Sequence, residues 1–245
     1  MYLVSVIIPY FRKKKFIQKT INSITSQTHK NLEIIIVYDD EDLKDLQLLN
    51  KIKNSDKRIK LLINKKNIGA GQSRNEGIKY AKAKYIAFLD ADDLWKRDKV
   101  KLQLAFMIKN KIEISHTDYE ILKINQKKKI MRAKPYKSYK ELLTSCDIGL
   151  STVMLKKSLI TKKCQFSELK TKEDFVLWLL ILKKNVMIGA LNKNLTTWRK
   201  LHGSLSSSVI QKLKDGYTLY NKYMGFNFLK SLVFLFLLSI NFLIK

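Results

Sequence analysis

Three carboxylates crowd one short stretch, YIAFLDADDLW (85–95), where Asp90, Asp92 and Asp93 follow an apolar run. An Asp-x-Asp at a strand end sets two carboxylates on one side of an extended chain, because side chains alternate. So placed, they can hold a hard divalent cation that is also bound to phosphate oxygens. The plainer reading is an N-cap and acidic first turn for the helix after residue 97. Asp39 and Asp40 close a second apolar run, NLEIIIVYDD (31–40). An acid there can accept a hydrogen bond from a base imide or a ribose hydroxyl; it can equally be a turn aspartate.

Other stretches carry complementary chemistry. NIGAGQSRNEG (67–77) is a glycine-containing loop running into a helix with Arg74 in its first turns. Backbone N–H groups and a guanidinium can meet a diphosphate there, or the stretch is an ordinary turn with a surface arginine. It is neither a Walker A loop nor a G-x-G-x-x-G fingerprint, which disfavours kinases and dehydrogenases. Glu173 and Asp174 precede FVLWLLIL. They fit a general base for an attacking hydroxyl or simple complements of a helix dipole. TWRKLHGSLSSS (197–208) gathers Arg199, His202, Ser204 and Ser206, which can clamp phosphate oxygens, complete a metal shell or form a plain loop. His29 and His116 have no supporting neighbours.

These residues need a frame. YLVSVIIPYF (2–11), 31–40, RIKLLIN (58–64) and KYIAFLDADD (84–93) read as buried strands. Helices are expected over 16–28, 43–52 and 69–83. Four strand–helix cycles predict an open, mostly parallel α/β sheet with polar residues gathered at the carboxyl ends of its strands, where ligands bind. After about residue 100 the pattern changes to a helix (98–110), a Lys-rich hairpin-like stretch (123–136), short strands, and a helix over 172–185. Residues 1–97 read as a nucleotide-binding half and 98–215 as an acceptor half of one fold.

Composition bounds the partners. The 245 residues are 46% hydrophobic, enough for a large core, and carry 48 Lys plus Arg against 21 Asp plus Glu. Only six of the bases are Arg, whereas specific readers of DNA bases lean on Arg. A Lys-rich excess favours lipid headgroups, phosphates and polyanions. Two cysteines, Cys146 and Cys164, make neither a disulfide framework nor a zinc set. The N-terminal residues read as strand at once, so no signal peptide is expected.

Taken in order, VSVIIPYF, SITSQTHKNLEIIIVYDD, NIGAGQSRNEGIKYAKAKYIAFLDADDLW, KEDFVLWLLIL and WRKLHGSLS resemble the family 2 glycosyltransferases over most of residues 3–206. The resemblance implies a GT-A fold and transfer of a sugar from a nucleotide-diphosphate donor, a UDP-sugar by default, with inversion. Pro9 and Tyr10 would line the nucleotide pocket, Asp39 would hold the base with Asp40 close by, and Arg74 and Asn75 would sit near the nucleotide. Asp92 would ligate Mg²⁺ or Mn²⁺ directly, with Asp90 nearer the ribose and sugar. Asp174 would be the catalytic base and Glu173 an acceptor contact. Arg199 and His202 would lie on a flexible loop over the diphosphate, His202 as a further metal ligand. The chain departs from the pattern at Phe11, where Asn is frequent, at Tyr38, where a first Asp is common, and at DDEDL (39–43), where Asp-Asp-Gly-Ser is usual.

FNFLKSLVFLFLLSINFLIK (226–245) is apolar and aromatic, yet its uninterrupted part is shorter than the roughly 20 residues of a spanning helix. Residues 216–245 are expected to lie in a membrane interface or dock on a partner, with the Lys-rich surface as a second attachment signal. The plainer reading is packing on their own domain. A peripheral place at the inner face of the cell membrane suits a glycan or lipid-linked acceptor in bacterial surface polysaccharide assembly. The competing classes are a sugar-nucleotide nucleotidyltransferase and a basic nucleic-acid-binding module. The first wants a glycine-rich loop after the first strand, and PYFRKKKF has none. The second predicts steep salt-dependent affinity for DNA or RNA, and no nucleic acid is expected.

Overall fold

The computed structural model describes residues 2–122, 128–201 and 208–244, the side chains as far as residue 241. The first half runs β1 (Val4–Tyr10), α1 (Lys14–Thr25), β2 (Leu32–Tyr38), α2 (Leu46–Ser55), β3 (Ile59–Ile63), α3 (Ala70–Tyr80) and β4 (Tyr85–Phe88). The second adds β5 (Leu94–Trp95), α4 (Lys99–Lys109), β6 (Ile114–Leu122), β7 (Lys128–Met131), α5 (Tyr139–Leu142), β8 (Met154–Lys156), α6 (Glu173–Lys183) and β9 (Ile188–Arg199). The chain then forms α7 (Val209–Thr218), a π-helical turn (Leu219–Tyr223) and α8 (Phe228–Ile244).

One sheet holds all of this, in the order β3-β2-β1-β4-β8-β6-β9-β5, with β7 paired to β6. β3, β2, β1 and β4 are parallel, as the three crossovers through α1, α2 and α3 require. β8 joins antiparallel to both β4 and β6, while β6 and β9 run parallel. Of the expected Lys-rich hairpin-like stretch (123–136), β7 pairs antiparallel with β6, and residues 123–127 lie outside the described residues. Both sheet faces are covered, which is why β1 and β2 read as continuous apolar runs. Val4, Val6 and Ile8 face α1, α2 and α4, whereas Ile7, Ile35 and Val37 face α3 and α6.

β1 and β4 are neighbours at the point where the winding direction changes, and Pro9 helps open the sheet there. Ile7 accepts from the Leu89 N–H on the β4 side and Tyr10 accepts from Asp39 N–H on the β2 side, so the imino group of Pro9 faces β4. β4 pairs with β1 only as far as Phe88, opposite Ile7. The missing donor therefore costs no ladder bond, although a proline inside a central strand ordinarily would. Beyond it β1 leads into Phe11, Arg12 and Lys13, and β4 into the turn that carries Asp90, Asp92 and Asp93.

The C-terminal residues settle on the same core. Ser231 is fully buried, Phe234, Leu235 and Leu238 pack against the α6 side, and Phe234 stacks near Phe226 at 5.2 Å between ring centroids. Packing of this segment on its own domain thus holds for one face of α8. Among the described residues no helix is long and apolar enough to cross a membrane.

Candidate active site

The acids after β4 are not in extended chain. The strand stops at Phe88, and Asp90 to Asp93 form a turn closed by an Asp93 N–H to Asp90 carbonyl bond of 3.0 Å. Alternation along a strand therefore does not place them, and the N-cap reading also fails. β5 intervenes, and Asp98 stands at the N-cap of α4. The turn instead sends the carboxylates to three partners. Asp90 Oδ1 accepts from Arg74 Nη2 at 2.7 Å, Asp92 Oδ2 pairs with Lys13 Nζ at 2.6 Å, and Asp93 Oδ2 accepts from Ser151 Oγ at 2.6 Å. Asp93 is buried; burial, then the charges of Asp90 and Asp92, push its carboxyl well above the usual range.

Asp90 is about one-third exposed and Asp92 less so, each with one oxygen outside its ion pair. The described residues contain no cluster of three or more Asp, Glu, His or Cys converging on one point. Mg²⁺ bound to phosphates needs only one or two carboxylates, so Asp90 and Asp92 fit a cation that arrives with an anionic substrate. His202 lies outside the described residues.

Arg74 is the hub. It sits on the second turn of α3, is buried, and donates from Nη1 to Glu173 Oε1 and from Nη2 to Asp90 Oδ1, both at 2.7 Å. Its guanidinium carbon lies 5.4 Å from the Phe166 ring centre. Although burial opposes its charge, Asp90 and Glu173 more than offset this and raise its pKa further. Two glycines permit the approach. Gly69 holds φ at +84° ahead of α3, a conformation L side chains rarely adopt. A Cβ on Gly71 would come within 2.7 Å of the Ser167 carbonyl and 3.0 Å of Glu173 Cγ. Asn75 spends its amide on Phe166, donating to its carbonyl at 2.9 Å and accepting from its N–H at 3.1 Å. It thereby fixes the ring beneath Arg74.

Asp174 follows Glu173 in the first turn of α6, entered through Lys172 in the left-handed region (φ +65°). Phe175 N–H donates to Asp174 Oδ1 at 2.7 Å. Burial, then the charge of Glu173, push its carboxyl up to about 7. A carboxyl tuned to neutrality can take a proton at physiological pH. The entry loop is anchored from behind. Thr171 donates from N and Oγ1 to Asp215 Oδ2 of α7, at 2.7 and 2.8 Å.

At the ends of β1 and β2 the acids divide the work. Both oxygens of buried Asp39 bind the loop before α3, accepting from Ile68 N–H and Asn64 Nδ2 on one and Gly69 N–H on the other, at 2.8–2.9 Å. Asp40 takes Arg12 Nε at 2.8 Å, and that hydrogen bond holds its carboxyl below the usual range. Arg12, Asp40, Asp42, Lys44 and Asp45 line a polar hollow of about 250 Å³. The Tyr10 ring is buried, stacked on Tyr38 at 5.7 Å, with its hydroxyl donating to Asp45 at 2.7 Å. The Tyr10 side chain is thus occupied within the core, with Pro9 beside it at the strand end.

Arg199 is not on a loop. It ends β9, its N–H donates to Asp93 Oδ1 at 3.0 Å, and its guanidinium donates to the Asp92 carbonyl and, at 3.2 Å, to Thr20 Oγ1. It underpins the acidic turn from within. Sequence inspection also passed over Ser151, which ties Asp90 N–H and Asp93 together, and Lys13, one lysine among four consecutive bases. Neither had a local signal, since both are defined by partners at least 58 positions away.

The model for "Glycosyl transferase family 2" matches residues 5–162. The chain is 38% identical over 216 residues to the Escherichia coli UDP-Glc:alpha-D-GlcNAc-diphosphoundecaprenol beta-1,3-glucosyltransferase WfgD, covering 87% of this chain and 83% of that one. It is 31% identical over 231 residues to a Bacillus subtilis (strain 168) putative teichuronic acid biosynthesis glycosyltransferase, TuaG, covering 94% and 91%. Among solved structures, S. aureus TarS 1-349 in complex with UDP-GlcNAc superposes with a TM-score of 0.71 at 23% identity, over 91% of this chain and 65% of that one. A Pyrobaculum calidifontis mannosyltransferase in complex with GDP-Man and Mn²⁺ also gives 0.71, at 12% identity, over 96% and 72%. The sheet order, the acidic turn at the β1–β4 opening and these matches agree: the fold is GT-A, and the chain belongs to glycosyl transferase family 2.

Proposed function

We propose that this chain transfers a sugar from a UDP-sugar to a hydroxyl of a lipid-linked or other glycan acceptor in bacterial surface polysaccharide synthesis, inverting the anomeric carbon. The observation that carries the reading is Asp174. Its carboxyl is tuned to about 7, and its neighbour Glu173 is joined through Arg74 to Asp90. A proton acceptor and a cation-binding turn thus share one rigid frame. The named substrates of WfgD, a UDP-sugar and a diphosphoundecaprenol-linked GlcNAc, support the donor and acceptor classes.

In this reading residues 1–97 hold the donor and residues 98–215 the acceptor. The polar hollow at Arg12, Asp40 and Asp42 receives the base. Asp39 shapes it by fixing the loop at Gly69. Asp90 and Asp92 hold Mg²⁺ or Mn²⁺. When bound, the cation offsets the charge that develops on the departing diphosphate. Asp174 accepts the proton of the acceptor hydroxyl as its oxygen attacks the anomeric carbon on the face opposite the diphosphate. Glu173, held by Arg74, orients the acceptor. Arg74 stays cationic throughout and keeps the two acids at fixed separation. Working on lipid-borne substrate, the chain sits peripherally at the inner face of the membrane.

Calorimetric titration with UDP-sugars, with and without Mn²⁺, tests the donor side. Binding of at least one UDP-sugar that strengthens with Mn²⁺ is expected; failure of every nucleotide sugar to bind would sink the reading.

A further inference from the structure

α8 is mostly apolar, with Lys230 its one charged residue, and the fold uses only one side of it. At about 100° per residue, Ser231, Phe234, Leu235 and Leu238 share the arc turned to the core. The opposite arc holds Phe228, Leu229, Leu232, Val233, Phe236 and Leu237, all exposed, with Leu229 at 71% and Phe236 at 64%. Ser239 falls within this arc, its hydroxyl turned back to the Leu235 carbonyl at 2.8 Å, and no charged residue interrupts it. α7 extends the face. Gly216 fits against Leu235, the Tyr217 ring lies 6.1 Å from that of Phe228, and Val209, Ile210 and Leu213 are exposed on α7, Ile210 at 69%. An uncharged apolar surface two helices wide is unusual on a free-standing protein.

The surroundings indicate what covers it. Residues 208–244 contain Lys212, Lys214, Lys222 and Lys230 and one acid, Asp215, which is buried. Lys183 reaches the same end of the pair, donating to the Met224 carbonyl at 3.3 Å. The rim is therefore cationic with no exposed carboxylate of its own. A second copy laid face to face would bring like rims together. Anionic headgroups instead match the rim while the acyl boundary takes the arc. α8, about 25 Å long and bound to the core along its other side, lies flat and does not span.

We propose that the joint α7–α8 face inserts into the interface of an anionic lipid bilayer, with Leu229, Val233 and Phe236 entering the acyl boundary and Lys214, Lys222 and Lys230 meeting headgroups. This deepens the peripheral location given above by naming the surface. The surface itself rests on the helix pair and not on the reaction. It also fixes the active site to the membrane, because Asp215 of α7 holds the loop that leads to Asp174.

The test is flotation of the full chain with vesicles of phosphatidylcholine, alone or mixed with phosphatidylglycerol, without donor or metal. The wild type should float with the anionic mixture and much less with the neutral lipid. The double variant Val233→Glu/Phe236→Glu should bind at least tenfold more weakly at an unchanged unfolding temperature. Val233→Trp should shift its emission to shorter wavelength on the anionic vesicles. The proposal is overturned if the wild type does not float, if neutral vesicles serve equally, or if the double variant floats like wild type. It is equally overturned if the wild type self-associates through this face and neither protein floats. Because no nucleotide is present, the outcome is independent of whether sugar transfer is found.

Discussion

Arg74 donates to Asp90 and Glu173 from two different guanidinium nitrogens, each bond 2.7 Å long, so one buried cation spaces the acidic turn from the start of α6. A lysine has one nitrogen and cannot hold both at those angles. Removing one partner of a buried ion pair leaves an uncompensated charge and costs about 3–5 kcal/mol. Arg74→Met should therefore unfold at clearly lower temperature and lose transfer. Arg74→Lys should recover part of the stability but little of the turnover. Paired melting curves and initial rates check this; equal turnover in wild type and Arg74→Lys would show that the bridge does not position the site.

Asp174 predicts opposite pH trends for rate and stability. Its carboxyl, at about 7 from burial and the neighbouring Glu173 charge, acts as base only when ionised. kcat/KM for the acceptor should rise about tenfold per unit below that pH and level above it. Arg74 and Asp90 also act on Asp174, the first lowering and the second raising its carboxyl. An acid raised on folding favours the folded state while protonated. Between its unfolded value near 4 and its folded value, the native chain holds a proton that the unfolded chain has lost, so this contribution falls as pH rises. Asp174→Asn should thus abolish transfer, leave UDP-sugar affinity intact, and raise the melting temperature at pH 8 relative to wild type but not at pH 4. The gain at pH 8 is bounded by about 4 kcal/mol. Near-wild-type turnover would refute the base assignment.

Lys13 occupies Asp92 at 2.6 Å with its ammonium about one-third exposed. In the proposed reading, a divalent cation at Asp92 competes with this ammonium for the carboxylate. A partly exposed pair is worth about 0.2–1 kcal/mol, so Lys13→Met should lower the Mn²⁺ concentration for half-maximal UDP binding by about two- to fivefold. Asp92→Asn should raise it well beyond wild type. Calorimetry over a Mn²⁺ series separates the two, and a Lys13→Met variant that needs more Mn²⁺ would place the lysine on the donor instead of against the metal.

The strands were legible because their apolar runs are continuous and β-branched, and the acids stood out where those runs ended. Their geometry was not legible. Asp90 and Asp92 lie in a turn set by Ser151 and Arg199, which arrive from 58 and 106 residues away in their bonds to Asp93. Asp39, expected at the base, anchors the Gly69 loop, a task visible only once Asn64 and Ile68 are beside it. Arg199 opens a serine-rich stretch that reads as loop, yet pairing with β6 carries β9 as far as Arg199, opposite Leu122. The core-facing side of α8 was not legible because its exposed side is nearly as apolar, so no period in the sequence divides core from surface.

Asp215 is a positioning residue that no motif announces. One of its oxygens takes both the N–H and the hydroxyl of Thr171, and the other takes Gln211 Nε2 at 3.0 Å. Lys172 follows in a left-handed conformation, a strain tolerated only where the surroundings over-determine it. Cutting the Asp215 bonds frees the backbone just before Glu173 and Asp174, with donor contacts untouched. Asp215→Ala should therefore lower kcat about tenfold, on the scale of one lost charged hydrogen bond, with the donor dissociation constant unchanged. Asp215→Asn keeps an acceptor oxygen for Thr171 and should stay closer to wild type. A merely structural aspartate would lower the melting temperature of both variants without separating their kcat values at a temperature where both are folded, so turnover measured well below both melting points decides the matter.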